Sequence, residues 1–551
     1  MEFEGNHRIR DKSLLTGLGV HRILKRGGSP DPYTIQLDAD RIRGEYLRKG
    51  YLEVGVTTKV ERKGDDTTVT YTVEEGPRAL TRFRITGLPP EVKPETVAEN
   101  FKLKDGQPFD YEQFDLAKPT LLGAVQDAGY ARAKLDADVV ADRATRTATI
   151  SLDYTPGPKS KFGQYKISGV KGELAEAVEN RLEFHPGQQY STQAIVQSQR
   201  NLYGFGRFST VQVKPDASMS DTVGVEVAVS ESARHEIQFG GGFGIEPEDY
   251  EVRGRAGYSI AGWPWPLDTV SVDLRPAYAY IPASATWQPR IKALVKFERK
   301  DLGWTYTKST IEAGFNYITI EPWTSYGPFG RLGFETPVIS RRVTFRIGWG
   351  IEYTQFRDFN DLFYRTTPSP YGGVSSDVPE RIGVGKYNAA TNSITGQNER
   401  AAAFMEKLVV DLRDNPIEPN YGAYGEVSVS EGNQVAGSNF NYTEIVPDVR
   451  GYAPIAIGVL AARFRYGAIY GDVPPTERFF GGGSISQRGF GERHLSPNLV
   501  GTDDQNSHQV VPYGGAGQID TSIEARIPIT KVYDMPLGFV TFLDGGDVTE
   551  K

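Results

Sequence analysis

The spacing of hydrophobic residues changes once along the chain, near residue 235. Before this point apolar residues recur at helical spacing, as Ile42 and Tyr46 do, and helical stretches alternate with short strands. After it, apolar residues recur at every second position, as in the run from Val343 to Tyr353, whose intervening positions are Thr, Arg, Gly, Gly and Glu. The pattern therefore predicts an α+β region followed by an all-β region.

The first region repeats itself three times. Three short strand-turn openings, Phe3-Glu4-Gly5, Ile85-Thr86-Gly87 and Ile167-Ser168-Gly169, have their glycines spaced 82 residues apart. In each unit a helical stretch such as Tyr111 to Ala128 ends near a second glycine, and two alternating strands follow. The order strand, helix, helix, strand, strand predicts three two-layer α+β modules, at residues 1–77, 78–158 and 159–232. One irregular α/β domain is the alternative.

The second region, residues 233–551, contains roughly thirteen to fifteen alternating segments. Each is about 9–11 residues long, which is the length that crosses a bilayer as a tilted strand. One face of the segments is aliphatic or aromatic and the other carries charges and glycine. This favours a transmembrane β-barrel with a wet interior over a large soluble β domain, whose strands are usually shorter. The polar stretch Asp358 to Arg400 is typical of a long solvated loop.

Composition narrows the possible functions. The chain has 551 residues and no cysteine, which excludes disulfides, thiolate zinc sites and cysteine nucleophiles. The net charge of −8 and the absence of basic runs argue against nucleic acid as a partner. The six histidines are scattered, and the glycine runs neither follow a strand nor open a helix. We therefore expect no catalysis, no bound metal and no cofactor.

One long connection has an unusual composition. It runs from Glu477 to Pro497 and has Arg488-Gly489-Phe490 at its centre. Together with Phe542-Leu543-Asp544-Gly545-Gly546 and Ser522-Ile523-Glu524, it resembles the sixth loop and the neighbouring strands of the BamA/TamA superfamily of outer-membrane assembly barrels. The run Asp411 to Pro416 looks like the mid-barrel hairpin of that family. The resemblance implies periplasmic POTRA modules joined to a sixteen-stranded outer-membrane barrel.

Physical chemistry and the resemblance together predict a lock between this loop and the barrel wall. A guanidinium inside a barrel needs fixed carboxylate partners, and its planar fork suits a bidentate pair. Glu524 points inward by strand parity, and Asp544 is the second acceptor by resemblance. We expect Arg488 to bridge both, with Gly489 and Phe490 completing the tip. Gln487 departs from the family, which usually has Val, Ile or Leu before the Arg.

The first predicted barrel strand is rich in glycine, at Gly240, Gly241, Gly242 and Gly244. Glycine weakens pairing, so a seam here could open and offer a strand edge to an incoming strand. Relief of crowding in the barrel wall is the other explanation. The resemblance implies a factor that folds and inserts β-barrel clients, with the unfolded clients and the lipid bilayer as partners. Accessory lipoproteins and periplasmic chaperones are further candidates.

The principal alternative is a two-partner secretion transporter that exports one protein. Such transporters usually have two POTRA modules and a plug helix, whereas three modules and no plug are visible here. A passive porin is disfavoured because porins lack N-terminal modules. A BamA-like and a TamA-like protein both fit. The start at Met1 within a strand, and the end soon after Asp544, lead us to expect truncation at both ends, with about three closing strands to follow.

Overall fold

The computed structural model describes residues 1–63, 66–99, 103–216, 221–245, 250–282, 286–365, 374–484, 486–502, 508–532 and 535–550. The chain separates into two compact units, Met1–Ser232 and Ala233–Lys551. None of the helices in the described ranges is both long and apolar enough to cross a membrane.

The N-terminal unit contains three small sheets with helices between their strands. Its elements are β1 (Glu2–Glu4), α1 (Asp11–Leu14), α2 (Gly19–Lys25), α3 (Pro32–Arg48), β2 (Gly55–Lys63), β3 (Asp66–Glu74), β4 (Leu80–Thr86), α4 (Pro94–Glu99), α5 (Tyr111–Asp127), β5 (Lys134–Asp142), β6 (Thr147–Thr155), β7 (Lys161–Ser168), α6 (Glu173–Glu179), α7 (Thr192–Gly204), β8 (Phe208–Pro215) and β9 (Thr222–Glu231). The sheet orders are β1-β3-β2, β4-β6-β5 and β7-β9-β8. The first module has one short helix more than the predicted pair.

Each sheet is built in the same way and packs its own hydrophobic core. The opening strand pairs parallel to the last strand of its module, and the other pair is antiparallel. In the second module Phe114 and Leu121 of α5 are 1% exposed, and they pack with Ile150 of β6. The side chain of Asp110 caps α5 by accepting from the amides of Glu112 and Gln113.

The repeated glycines have a steric cause. Gly169 has φ +92°, and a Cβ placed on it would lie 1.8 Å from the carbonyl oxygen of Val229 on the central strand. The same conflict recurs in the other two modules, at Gly5 with Val73 (2.2 Å) and at Gly87 with Tyr154 (2.0 Å). Only glycine allows the chain to turn away from the opening strand at these positions.

Among its described residues, the C-terminal unit is dominated by one antiparallel sheet of thirteen strands. Its elements are β10 (His235–Ile245), β11 (Tyr250–Ala261), β12 (Asp268–Ile281), β13 (Thr286–Lys300), β14 (Lys308–Thr319), β15 (Thr324–Pro337), β16 (Val343–Arg357), α8 (Val378–Arg381), β17 (Gly385–Asn388), β18 (Ser393–Gly396), β19 (Asn398–Asp411), β20 (Gly422–Gly432), β21 (Tyr442–Ile455), β22 (Gly458–Gly471), β23 (Asn498–Thr502), β24 (His508–Pro512), β25 (Gly517–Val532) and β26 (Met535–Thr549).

The thirteen strands follow one another in chain order, and the hairpins β17–β18 and β23–β24 lie outside this sheet. The chain thus folds as three tandem α+β modules followed by an antiparallel sheet of the β-barrel type. The strand count agrees with the predicted range. The strands have 11 to 16 residues, so the predicted length of about 9–11 residues was too short.

The two faces of the large sheet differ as the alternating pattern predicts. On the face that we call the outer face, Phe239 and Phe243 are 83% and 79% exposed. The opposite, inner face carries ion pairs, among them Asp273 with both Arg255 and Arg275 at 2.6 Å. Apolar side chains therefore point away from the face that holds the charges.

The prediction for residues 358–400 was wrong in its described part; residues 366–373 lie outside the described residues. This stretch contains α8, the hairpin β17–β18 and the start of β19. Phe363 is fully buried, and Leu362 and Val384 pack with it against Trp323 and Val511 from two other connections. The described parts of this stretch are not simply solvated, because their scattered apolar residues form a core with other loops.

Candidate functional site: the loop lock and the glycine-rich edge

The connection between β22 and β25, which we call the lock loop (residues 472–516), is fixed at its base. Phe479 and Gly515 exchange two backbone hydrogen bonds, of 2.8 and 2.9 Å. The ring of Phe479 covers Gly467 of β22, where an added Cβ would come within 2.7 Å of the ring. The absence of a side chain at Gly467 therefore lets the loop rest directly on the sheet.

Arg488 lies between two carboxylates of the sheet. Its Nε and Nη2 donate to the two oxygens of Asp544 on β26, at 2.8 and 2.7 Å, which is the bidentate geometry expected of a guanidinium. Its Nη1 donates to Glu524 Oε2 on β25 at 2.9 Å. The structure thus brings the three predicted lock residues together and ties the loop to two adjacent strands.

Neighbouring side chains hold these partners in position. Ser522 donates to Asp544 at 2.8 Å and accepts from Arg488 at 3.1 Å. Arg526 donates to the second oxygen of Glu524 at 2.6 Å. The guanidinium carbon of Arg488 lies 3.4 Å from the centre of the Phe542 ring, a cation–π contact. Phe542 lies two residues before Asp544 on β26 and therefore on the same face of the sheet. Strand parity could thus have identified it as a contact of Arg488.

The cluster is partly shielded from solvent. The Arg488 side chain is 26% exposed, whereas those of Glu524 and Asp544 are 17% and 7% exposed. Hydrogen bonds with Asp544, and then with Glu524, raise the pKa of the Arg488 guanidinium above its usual value. A guanidinium bound by two carboxylates in this way is suited to holding a loop and not to exchanging protons.

Gln487 is a lock residue that sequence reasoning missed. Its side chain is buried, and Nε2 donates to Asp520 at 2.5 Å and to the carbonyl of Gly545 at 3.0 Å. Gly546 makes room for it, since a Cβ there would lie 2.8 Å from the Gln487 amide nitrogen. The departure from the family pattern therefore supplies an additional polar contact between the loop and the wall.

The other two predicted tip residues lie outside the ion cluster. Phe490 is 51% exposed, and its backbone makes two hydrogen bonds: its amide donates to the Gln487 carbonyl at 3.1 Å, and its carbonyl accepts from the Gly483 amide at 3.0 Å. A Cβ on Gly489 would meet no atom within 4 Å. The structure gives neither residue a contact that requires its type. Ile485 of the same loop lies outside the described residues.

The four glycines predicted for the seam lie on β10, which is an edge strand. In the described residues β10 pairs only with β11. An added Cβ would find its nearest neighbour at 3.9 Å from Gly240, 3.8 Å from Gly241, 3.7 Å from Gly242 and 3.5 Å from Gly244, which are ordinary contact distances. Crowding against β11 therefore does not explain these glycines. The other edge strand of the described sheet is β26, which carries Asp544.

Family models match both units of the chain. The Omp85 superfamily domain matches residues 303–551. A POTRA model, described as a surface antigen variable number repeat, matches residues 1–76 and 160–232.

Two curated relatives are similar to less than half of the chain. The outer membrane protein assembly factor BamA of Neisseria meningitidis serogroup B is 24% identical over 254 residues, which are 44% of this chain and 32% of the relative. A putative outer membrane protein assembly factor of Treponema pallidum is 25% identical over 255 residues, 44% of this chain and 30% of the relative. The matched segment spans about a third of the length of either relative.

Among solved structures, the fold resembles that of BamA from Haemophilus ducreyi lacking POTRA domains 1–3. The TM-score is 0.55 with 16% identity, and the match covers 85% of this chain and 87% of that one. At this identity the likeness shows the fold alone. With both family models matching, the chain belongs to the BamA/Omp85 superfamily of outer-membrane proteins, with its N-terminal POTRA modules in the periplasm.

Proposed function

We propose that this protein folds β-barrel clients and inserts them into the outer membrane by pairing a client strand with the edge of β10. The observation that carries the proposal is the nature of β10. Among the strands that the structure describes it is an edge strand, and it has four glycines that its packing against β11 does not require. Assembly of outer-membrane proteins is the activity that the names of both curated relatives state.

The physical advantage of such an edge is large inside a bilayer. Unpaired backbone N–H and C=O groups cost several kcal/mol each in hydrocarbon, so a strand cannot enter unpaired. A strand edge offers a row of these groups without regard to side-chain sequence, which allows many clients to use one template. Glycines on the template weaken its own pairing and so favour exchange with a client.

The lock has a complementary role in this proposal. Arg488 ties the lock loop to β25 and β26 through Glu524 and Asp544. This keeps one side of the sheet rigid while the glycine-rich edge exchanges partners. Pairing of this kind forms no covalent bond, so the proposal assigns no catalytic residue and no cofactor. Unfolded clients and the bilayer are the proposed partners, and the periplasmic modules would deliver clients with lipoproteins or chaperones.

These 551 residues contain no cysteine, which allows a direct test in the full-length protein once any cysteine outside them has been replaced. Gly241→Cys places a thiol on β10, and Gly425→Cys on β20 is the matched control because neither position has a close neighbour for a Cβ. A client arrested during assembly and carrying single cysteines along its terminal strand should form disulfides with Gly241→Cys in register. Gly425→Cys should give none.

Other crosslinking patterns would contradict this proposal. Crosslinks that form equally at both positions, or only at positions on the inner face, would contradict templating at β10. Crosslinks on the inner face with a single secreted protein would support the alternative, a two-partner secretion transporter.

A further inference from the structure

A cavity of about 210 Å³ opens on the inner face beside the lock. It lies between the lock loop and strands β21, β22 and β25, and four arginines line it: Arg450, Arg463, Arg488 and Arg526. Its floor includes Ala461, whose small side chain leaves the space between Tyr452 and Glu524, its two cross-strand neighbours, unfilled. Four guanidinium groups, each with several N–H donors, therefore surround one cavity.

The carboxylates near this cavity are already occupied. Asp448 accepts from Nε and Nη2 of Arg450 at 3.0 and 2.9 Å, and also from Arg463 at 2.8 Å. Glu524 accepts from Arg488 with one oxygen and from Arg526 with the other. Asp520, which also lines the cavity, accepts from Gln487 at 2.5 Å with Oδ1, and its Oδ2 lies 3.9 Å from Arg463. These acids are therefore already engaged by neighbouring side chains.

Several donors that line the cavity have no acceptor in the described part of the chain. A guanidinium has five N–H groups. Within the described residues Arg526 uses only Nε, and Arg450 uses only Nε and Nη2. The hydroxyl of Ser486, on the lock loop, is buried, and it has no hydrogen-bond partner among the residues that the structure describes. Donors thus outnumber acceptors on three different walls of one cavity.

We propose that this cavity binds an oxyanion, a phosphate or a carboxylate group, between Arg526, Arg450 and Ser486. Such a group accepts several hydrogen bonds at once, and arginine forks match its geometry. A bound anion would connect the lock loop to strands β21 and β25 and so reinforce the hold of Arg488. The proposal rests on the cavity and its donors and does not require the function proposed above.

The test is a binding titration with the protein in detergent. Inorganic phosphate and acetate are added separately at constant ionic strength, and heat of binding is recorded. We expect saturable binding of at least one of them. Arg526→Gln should weaken it at least tenfold, and Ser486→Ala several-fold. Arg275→Gln is the control, since that arginine lies on the same inner face but far along the sheet, paired with Asp273.

The same titration can overturn the proposal. If neither anion binds, or if Arg526→Gln binds as well as the parent protein, the free donors are satisfied by water and there is no oxyanion site. Arg526→Lys, which keeps the charge and loses the fork, guards against a folding defect and should lie between the parent and Arg526→Gln. Phosphate binding alone indicates a phosphate site, and acetate binding alone indicates a site for carboxylates.

Discussion

The two units of this protein place the same residue types in opposite positions. In the periplasmic modules the large aromatic residues Tyr46, Phe114 and Phe162 are less than 2% exposed. In the barrel sheet Phe239 and Phe243 are largely exposed, and the ion pairs lie on the inner face. The solvent explains the difference, since water surrounds the modules whereas lipid surrounds the outer face of the sheet.

It follows that the two units are stabilised by different interactions. Burial of apolar side chains stabilises the modules, so loss of a buried ring should be costly. Backbone ladders, inner ion pairs and the lock loop hold the barrel sheet, and its outer side chains gain little by contact with each other. Four predictions test this contrast, in order of decreasing expected effect.

Truncation of an aromatic residue should discriminate most strongly between the units. Phe114→Ala should destabilise the second module by about 3–5 kcal/mol, because it leaves a cavity in a close-packed core. Phe243→Ala on the outer face should change stability by less than about 1 kcal/mol in detergent. Hydrogen exchange of α5 and β6 measures the local stability of the second module, and hydrogen exchange of β10 and β11 measures that of the barrel sheet. Equal loss of protection in both variants would refute the contrast.

Glycine-to-alanine substitutions give a second comparison between the modules and the barrel sheet. Gly169→Ala should cost at least about 2 kcal/mol, because the new Cβ would collide with the Val229 carbonyl and the backbone has positive φ. Gly187→Ala shares the positive φ but has open space, so it should cost about 1 kcal/mol. Gly425→Ala in the barrel has neither problem. Thermal unfolding of the three variants should follow this order, and a reversed order would contradict the steric argument.

Substitution of Arg488 tests how strongly an ion cluster on the inner face stabilises the lock loop. Arg488→Lys keeps the charge but loses the bidentate fork and the contact with Phe542, at a cost of about 1–3 kcal/mol. Limited proteolysis of the lock loop should become about ten- to a hundredfold faster. Arg493→Lys is the control, because Arg493 lies in the same loop and bonds only to its neighbour Glu492 among the contacts seen. An unchanged cleavage rate in Arg488→Lys would show that Arg488 does not hold the loop against the sheet.

The smallest effect is a pH dependence of the same loop. Burial, and then the charges of Glu444 and Glu352, raise the pKa of Glu477 to about 7 from its ordinary value of 4.5. Because the folded state favours the neutral form, the stabilisation is complete below pH 4.5 and is lost as pH rises through 7. Loop proteolysis should therefore be several-fold faster at pH 8 than at pH 5. Glu477→Gln should remove this slope, and a flat profile in the parent protein would contradict it.

Much of the fold and part of the site could be predicted from the sequence. Period two assigns a face to every strand residue, so it placed Glu524 on the inner face. The repeated glycines mark the position in each module where a side chain would collide with a backbone carbonyl of the central strand. Helix α5 follows its apolar spacing and ends within a residue of the predicted segment.

What could not be predicted depends on contacts between distant segments. Gln487 is polar, and only the space above Gly546 and the acceptor on Asp520 allow it to be buried. The core of residues 358–400 needs Trp323 and Val511 from other loops, so its own sequence resembles a solvated connection. Local spacing carries no information about such partners.

The most direct test of the central claim is quantitative proteomics of the outer membrane after depletion of the full-length protein in its source organism. The account predicts a broad loss of many unrelated β-barrel proteins. Loss of a single secreted protein, with the other barrels unchanged, would contradict it and identify a dedicated transporter.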